Sequence, residues 1–207
     1  DVLGSRGLGD VYKRQLLDTP KYKAVNVHAS LLPKLRGGSP LHRCIIDGYS
    51  ETGVTIMYMA PGMDDGDIIT QKSIKIEDTD NVGTIHDKLS IIGRDLLLET
   101  LPSIFNGTNG RTRQDENEVT FAYNIKREEE KLDFNEKARE VFNHIRGMYP
   151  FPVSYTTLNG EIIKICESKI GTKTSGTVGE IISIYDNGIG VKCSDCLLYT
   201  SPSPTRP

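Results

Sequence analysis

Between Lys23 and Ile104 the sequence alternates strand and helix periods, and beyond the polar run Asn106–Arg113 that alternation stops. Lys23–His28 (K-A-V-N-V-H) reads as a strand. Side chains alternate across a strand, so Val25 and Val27 share one face and Asn26 and His28 the other. Ser39-Pro40 predicts a helix start, a hydroxyl cap followed by Pro in the first turn, and Gly48 predicts its end. Val54–Met59 reads as a second strand, followed by the tight polar loop A-P-G-M-D-D-G-D and a third strand over Ile68–Ile76. A capped helix is expected to begin near Thr84, with Leu89, Ile92, Leu96, Leu97, Leu101 and Ile104 as its apolar face. Strand, helix, strand, strand, helix at this spacing predicts an α/β arrangement, a mixed sheet flanked by helices.

The run N-G-T-N-G-R-T-R is polar and Gly-containing, with no period, and reads as an interdomain linker. Beyond it, Arg139–Met148 is expected to be helical, with Val141, Phe142 and Ile145 facing inward. Two hairpins follow. Val153–Leu158 and Glu161–Cys166 flank Asn159-Gly160, a pair suited to a type I′ turn, and Gly176–Tyr185 and Ile189–Cys193 flank Asp186-Asn187-Gly188. This half is predicted to be a small β-rich module with one helix, an OB-like barrel.

Composition bounds the function. Lys and Arg number 25 against 28 Asp and Glu, a net charge of -3, so a globally basic nucleic-acid coat is excluded. The longest apolar runs fall far short of the ~20 residues a membrane span needs, and no secretory signal is expected. The four cysteines are the singles Cys44 and Cys166 and the C-S-D-C pair Cys193/Cys196. A closed zinc site needs two further ligands at suitable spacing, so reduced, buried thiols are expected and no metal is assigned. The first fifteen residues show no period, and the last dozen, C-L-L-Y-T-S-P-S-P-T-R-P, are rich in Ser, Pro and Thr and are expected to bury no core. Both ends resemble translated adaptor read-through.

Three features carry chemistry: Asn26-x-His28 on one strand face, the Ser30-Leu31-Leu32-Pro33 segment after it, and Asp64 in a Gly-flanked loop. Each alone has a plain structural reading: a packed strand histidine, a strand-exit loop and a turn. Asp64, Asp65 and Asp67 could also form a weak cation site, but they lack the spacing of a calcium loop. Lys34, Arg36, His42 and Arg43 form a local basic patch, and Arg146, Lys164, Lys169 and Lys173 are candidate phosphate contacts in the second module.

Taken together, N-V-H-A-S-L-L-P-K-L-R-G-G-S-P (Asn26–Pro40), E-T-G-V-T-I-M (Glu51–Met57), P-G-M-D-D-G-D-I (Pro61–Ile68) and I-R-G-M-Y-P-F-P-V-S-Y (Ile145–Tyr155) resemble the folate-dependent formyltransferase family. Phe151 stands where that family more usually has Trp. The resemblance implies that Asn26, His28 and Asp64 are catalytic and that Ser30, Leu31, Leu32 and Pro33 contact the folate. It implies transfer of a formyl group from 10-formyltetrahydrofolate to the free amino group of methionyl-initiator tRNA, in translation initiation. In chemical terms, an amine attacks a formyl carbonyl. Asn26 would donate to the oxyanion, His28 would stabilise that oxygen or take the amine proton, and Asp64 would orient the imidazole.

The resemblance also implies an organisation. Residues 16–109 are expected to be the C-terminal part of a catalytic domain, a partial Rossmann-like unit. Residues 110–128 form a linker and 129–195 an incomplete OB-like tRNA-binding domain, with 1–15 and 196–207 as non-native leader and tail of a chain truncated at both ends. A cytoplasmic monomer with no membrane partner is expected. Three other readings stand beside this one. They are a sister formyltransferase acting on a nucleotide sugar or glycinamide ribonucleotide, a noncatalytic RNA-binding fragment, and a hydrolase using Ser30 or a cysteine. The last lacks a G-x-S-x-G nucleophile elbow.

Overall fold

The computed structural model describes Leu17 and residues 19–202. The expected leader, residues 1–15, and the last five residues of the expected tail lie outside the described residues. The chain divides into two compact units that interleave in sequence: one takes the described residues up to Pro40 with 51–75 and 87–124, the other 41–50, 76–86 and 125 onward.

The first unit is built on three strands, β1 (Val25–His28), β2 (Glu51–Tyr58) and β3 (Ile68–Lys75), paired antiparallel in the order β1-β2-β3. Register decides which side chains share a face. His28 lies opposite Thr55 and Thr55 opposite Gln71, so these three form one row, with Asn26 and Met57 as the neighbouring pair on the same side. Val27 and Val54 project from the other face toward α2 (Val82–Asn106), whose residues from Asp87 on belong to this unit. A Cβ added at Gly93 would stand 3.0 Å from Val27 and 3.6 Å from Val54, so the missing side chain permits this approach. Leu89, Leu96 and Ile104 are buried as expected. The helix begins at Val82 rather than near Thr84, because Asn81 is its cap: Asn81 Oδ1 accepts from the Thr84 N–H and Thr84 Oγ1 from the Asn81 N–H, both at 3.0 Å.

An extended segment after α2 runs along this unit. Thr112 exchanges backbone bonds with Ile68, and Arg36 N–H donates to Thr120 O at 2.9 Å. Ala122 N–H donates to Arg36 O at 2.7 Å, and Ser39 N–H to Ala122 O at 3.0 Å. These residues fall inside the stretch expected as a linker.

The second unit contains α1 (Pro40–Ile46, from Leu41 on), α3 (Ala138–Met148) and five strands: β4 (Ser154–Leu158), β5 (Glu161–Ile170), β6 (Ile181–Tyr185), β7 (Gly188–Lys192) and β8 (Leu197–Pro202). Helix α1 ends as expected at Gly48, whose φ is +74°. The strand order is β4-β5-β8-β7-β6, antiparallel throughout, with β4 and β6 at the edges. The sheet is therefore open, and the expected barrel closure is not seen among the described residues. Asn159 and Gly160 both take positive φ, 52° and 88°, the backbone a type I′ turn requires. The strand expected from Gly176 starts only at Ile181, after two glycines with φ of +136° and +83°.

One expectation is corrected here: the C-terminal stretch does bury a core. Strand β8 lies between β5 and β7, hydrogen-bonded on both edges, and Leu198 is fully buried with Leu132, Ala138, Val141, Ile145, Ile165 and Cys193. Ser and Pro richness reads locally as loop, but pairing on two sides supplies the backbone partners that local sequence does not show.

Candidate active site

His28 ends β1 with its side chain 6% exposed. Its Nε2 lies 3.0 Å from the carbonyl oxygen of Leu35. A carbonyl can only accept, so Nε2 carries a hydrogen and Nδ1 is the nitrogen left to exchange a proton. Nδ1 stands 3.7 Å from Asp64 Oδ2. Asp64 is placed by an unusual backbone, φ +49°, which short polar side chains tolerate. Its Oδ2 accepts the Gly37 N–H at 2.9 Å. Gly37 has φ +118°, and a Cβ there would stand 2.8 Å from Ala122 O, so the position demands glycine. Asn26, half-buried, shares the His28 face two residues earlier, roughly 7 Å along the strand. The fold thus brings Asn26, His28 and Asp64 to one side of the sheet.

The Ser30–Pro33 loop hangs from the same side chain row. Thr55 Oγ1 donates to Ser30 O at 2.6 Å and accepts from the Leu32 N–H at 3.1 Å. Gln71 Nε2 donates to Thr55 Oγ1 at 2.8 Å and to Leu32 O at 2.9 Å. Ser30 is wholly buried and its hydroxyl donates to Lys34 O at 2.7 Å. Leu32 is buried, the Leu32–Pro33 peptide is cis, and Leu31 and Pro33 are half-buried. The polar groups of Ser30 and the backbone groups of Leu32 are therefore committed inward, and Leu31 and Pro33 offer the loop's accessible apolar surface.

Sequence reading missed the side chains that hold these loops. Thr55 and Gln71 had only the β-period as a signal. Gln114, 4% exposed, sits in the expected linker and reaches the Asp64 loop, with Nε2 2.7 Å from Asp64 O and 2.8 Å from Gly66 O. Its Oε1 accepts from Arg36 Nε at 2.9 Å. Part of the expected basic patch is likewise structural. The Arg36 guanidinium is buried and paired with Glu116, and Arg43 is paired with Glu129. In the second unit Arg146 spends its donors on Asn143 and on the carbonyls of Glu77 and Asp80. Lys164, Lys169 and Lys173 remain exposed.

A buried imidazole beside an oriented carboxylate, with an amide on the same face, can accept a proton and steady a developing charge. It requires no side-chain nucleophile. Among the described residues no group of three or more His, Cys, Asp and Glu is arranged to hold a metal ion.

Known proteins resemble this chain along almost its whole length. Residues 7–101 match the formyl transferase family and residues 124–201 the formyl transferase C-terminal domain. A methionyl-tRNA formyltransferase of Bacillus velezensis is 48% identical over 207 residues, covering 99% of this chain, and one of Staphylococcus aureus is 50% identical over 196 residues, covering 94%. The chain spans 65% and 63% of the length of those two relatives. A solved N-formyltransferase from Helicobacter canadensis, in complex with folinic acid and dTDP-3-aminofucose, shares the fold. It has a TM-score of 0.69 at 21% identity, covering 87% of this chain and 66% of that one.

Proposed function

Since this chain belongs to the formyl transferase family, we propose that it transfers a formyl group from 10-formyltetrahydrofolate to the free amino group of methionyl-initiator tRNA, in the cytoplasm at translation initiation. The observation that carries the reading is identity near one half to two methionyl-tRNA formyltransferases along almost the whole chain, across both matched domains. The arrangement around His28 supports the chemistry.

In this reading the amine of the methionyl group attacks the formyl carbon. Asn26 donates to the oxygen that becomes negative, where one well-placed donor is worth on the order of 10²–10³ in rate. His28, fixed through Nε2 by Leu35, receives the amine proton at Nδ1, and the Asp64 carboxylate stabilises the imidazolium so formed. As the tetrahedral intermediate collapses, the bond from the formyl carbon to the folate nitrogen breaks and that nitrogen takes up the proton, so tetrahydrofolate leaves. Leu31 and Pro33 supply apolar contact to the folate, while Ser30 and Leu32 shape the loop from inside. The five-stranded sheet with α3 serves as an OB-like tRNA-binding module, and the protein works as a monomer.

The test is acceptor competition. The chain is given 10-formyltetrahydrofolate with methionyl-initiator tRNA, a dTDP-amino sugar or glycinamide ribonucleotide. Formylation of the tRNA in preference to the others, lowered on the order of 10²–10⁴ by His28→Ala, is expected. Preference for a sugar or ribonucleotide would assign a sister activity, and tRNA binding without formyl transfer to any acceptor would reduce the chain to an RNA-binding fragment.

A further inference from the structure

We propose that Gln114 is a positioning residue for formyl transfer, acting through Asp64; the proposal rests on the function proposed above. Asp64 carries the carboxylate that faces His28, yet it sits in a loop and in a left-handed backbone conformation. Such a residue holds its direction only if its surroundings fix it. Two clamps do so from different parts of the first unit. The Gly37 N–H holds the carboxylate itself at 2.9 Å. Gln114 holds the backbone beneath it, one amide nitrogen bridging the carbonyls of Asp64 and Gly66 at 2.7 and 2.8 Å.

The amide is itself held. Its oxygen accepts from the buried Arg36 guanidinium at 2.9 Å, and that guanidinium also pairs with Glu116, two residues beyond Gln114. Arg36 in turn precedes Gly37. One buried side chain therefore ties together the loop that carries Asp64 and the loop that presents Gly37 and Leu35, the two points that orient the carboxylate and the imidazole. A methylene chain of the same length would fill the space and lose every one of these bonds.

The consequence is specific. Removing the amide should release the direction of the Asp64 carboxylate without touching the folate loop, which hangs from Thr55 and Gln71 instead. Gln114 touches no reacting atom, and because Gln114→Glu keeps the acceptor that Arg36 uses, a loss of turnover in that variant passes through Asp64.

The experiment compares the full chain with Gln114→Met, Gln114→Glu, Asp64→Asn and the double variant Asp64→Asn/Gln114→Met. Gln114→Glu keeps the acceptor for Arg36 and lacks the two donors, so it separates the clamp from any folding defect of the Met variant. Both single Gln114 variants are expected to lower kcat for formyl transfer on the order of 10²-fold, the cost of misplacing a reacting group by about an ångström, with KM for the folate unchanged. The double variant should be no slower than Asp64→Asn alone. A second readout does not need activity: the ¹⁵N signals of the His28 ring. The Nδ1 signal should move toward its position in Asp64→Asn while Nε2, held by Leu35, stays. Full kcat in both Gln114 variants, multiplying effects in the double variant, or an unmoved Nδ1 signal would each overturn the proposal. If the wild-type chain transfers no formyl group the proposed function fails, and the ring signals alone decide the role of Gln114.

Discussion

His28 Nε2 is bonded to the Leu35 carbonyl at 3.0 Å, and this single contact fixes which nitrogen of the imidazole can work. Leu35 presents that carbonyl from a left-handed backbone, φ +61°, braced by its own N–H on Thr120 Oγ1 at 2.9 Å. The loop after β1 thus turns back to hold the residue at the end of the strand. Nδ1 is left facing Asp64, which is where a proton leaving the amine would be received.

Replacing His28 with Ala is therefore expected to lower formyl transfer by on the order of 10²–10⁴, the usual worth of a positioned acid–base group. Asn26→Ala should cost on the order of 10²–10³. Initial rates with methionyl-initiator tRNA, and circular dichroism to show that each variant is folded, check both. A drop of less than about tenfold for either would remove that side chain from its assigned role.

Thr55→Val keeps the shape of a fully buried side chain but removes the hub that joins Ser30, Leu32 and Gln71. The Ser30 carbonyl and Leu32 amide lose their hydroxyl partner. A loss of about 1–3 kcal/mol is expected in urea unfolding, together with a raised KM for the folate, because the loop it would contact loosens. Unchanged stability would show that the loop is held by other means.

Gly37→Ala places a Cβ 2.8 Å from a backbone oxygen at φ +118°, and the strain falls on the donor to Asp64. The expected cost is about 1–3 kcal/mol, with reduced turnover. Gly110→Ala, where a Cβ would meet nothing within 4 Å, is the control and should leave the unfolding midpoint in place.

His144 carries the pH dependence. Burial holds its imidazole below its ordinary value of 6.5, and its Nε2 has no hydrogen-bond partner. The folded state therefore binds fewer protons than the unfolded chain as the pH falls through 6.5, and stability declines with acidification from there. Glu136 works the opposite way, closer to its ordinary 4.5, because burial raises its carboxyl. Asp78, Asp133 and Asp195 are held below their ordinary 3.8 by hydrogen bonds and add losses only at lower pH. Urea unfolding at pH 7.5 and 5.5 should show lower stability at 5.5, and His144→Gln should flatten that difference. An undiminished difference in the variant would assign the dependence to another group.

The local rules of strand and turn were enough to put Asn26 and His28 on one face, to end α1 at Gly48 and to require a two-residue turn at Asn159-Gly160. Each depends only on alternation or on the backbone a few residues can adopt, and so does the apolar face of α2 through Leu89, Leu96 and Ile104. The motifs around those residues were equally legible, since they are contiguous in the chain.

Tertiary structure decided what those rules do not reach. Gln114 meets Asp64 across 50 residues, and nothing in N-G-T-N-G-R-T-R or the residues after it marks one amide for burial. Arg36 reads as surface charge until the fold surrounds it with Gln114 and Glu116. Strand β8 reads as loop until β5 and β7 pair with both its edges. The physical reason is common to all three. Periodicity reports which way a side chain points within its own element, whereas the partners of a buried polar group are supplied by distant segments. Only the packed chain determines where those segments meet.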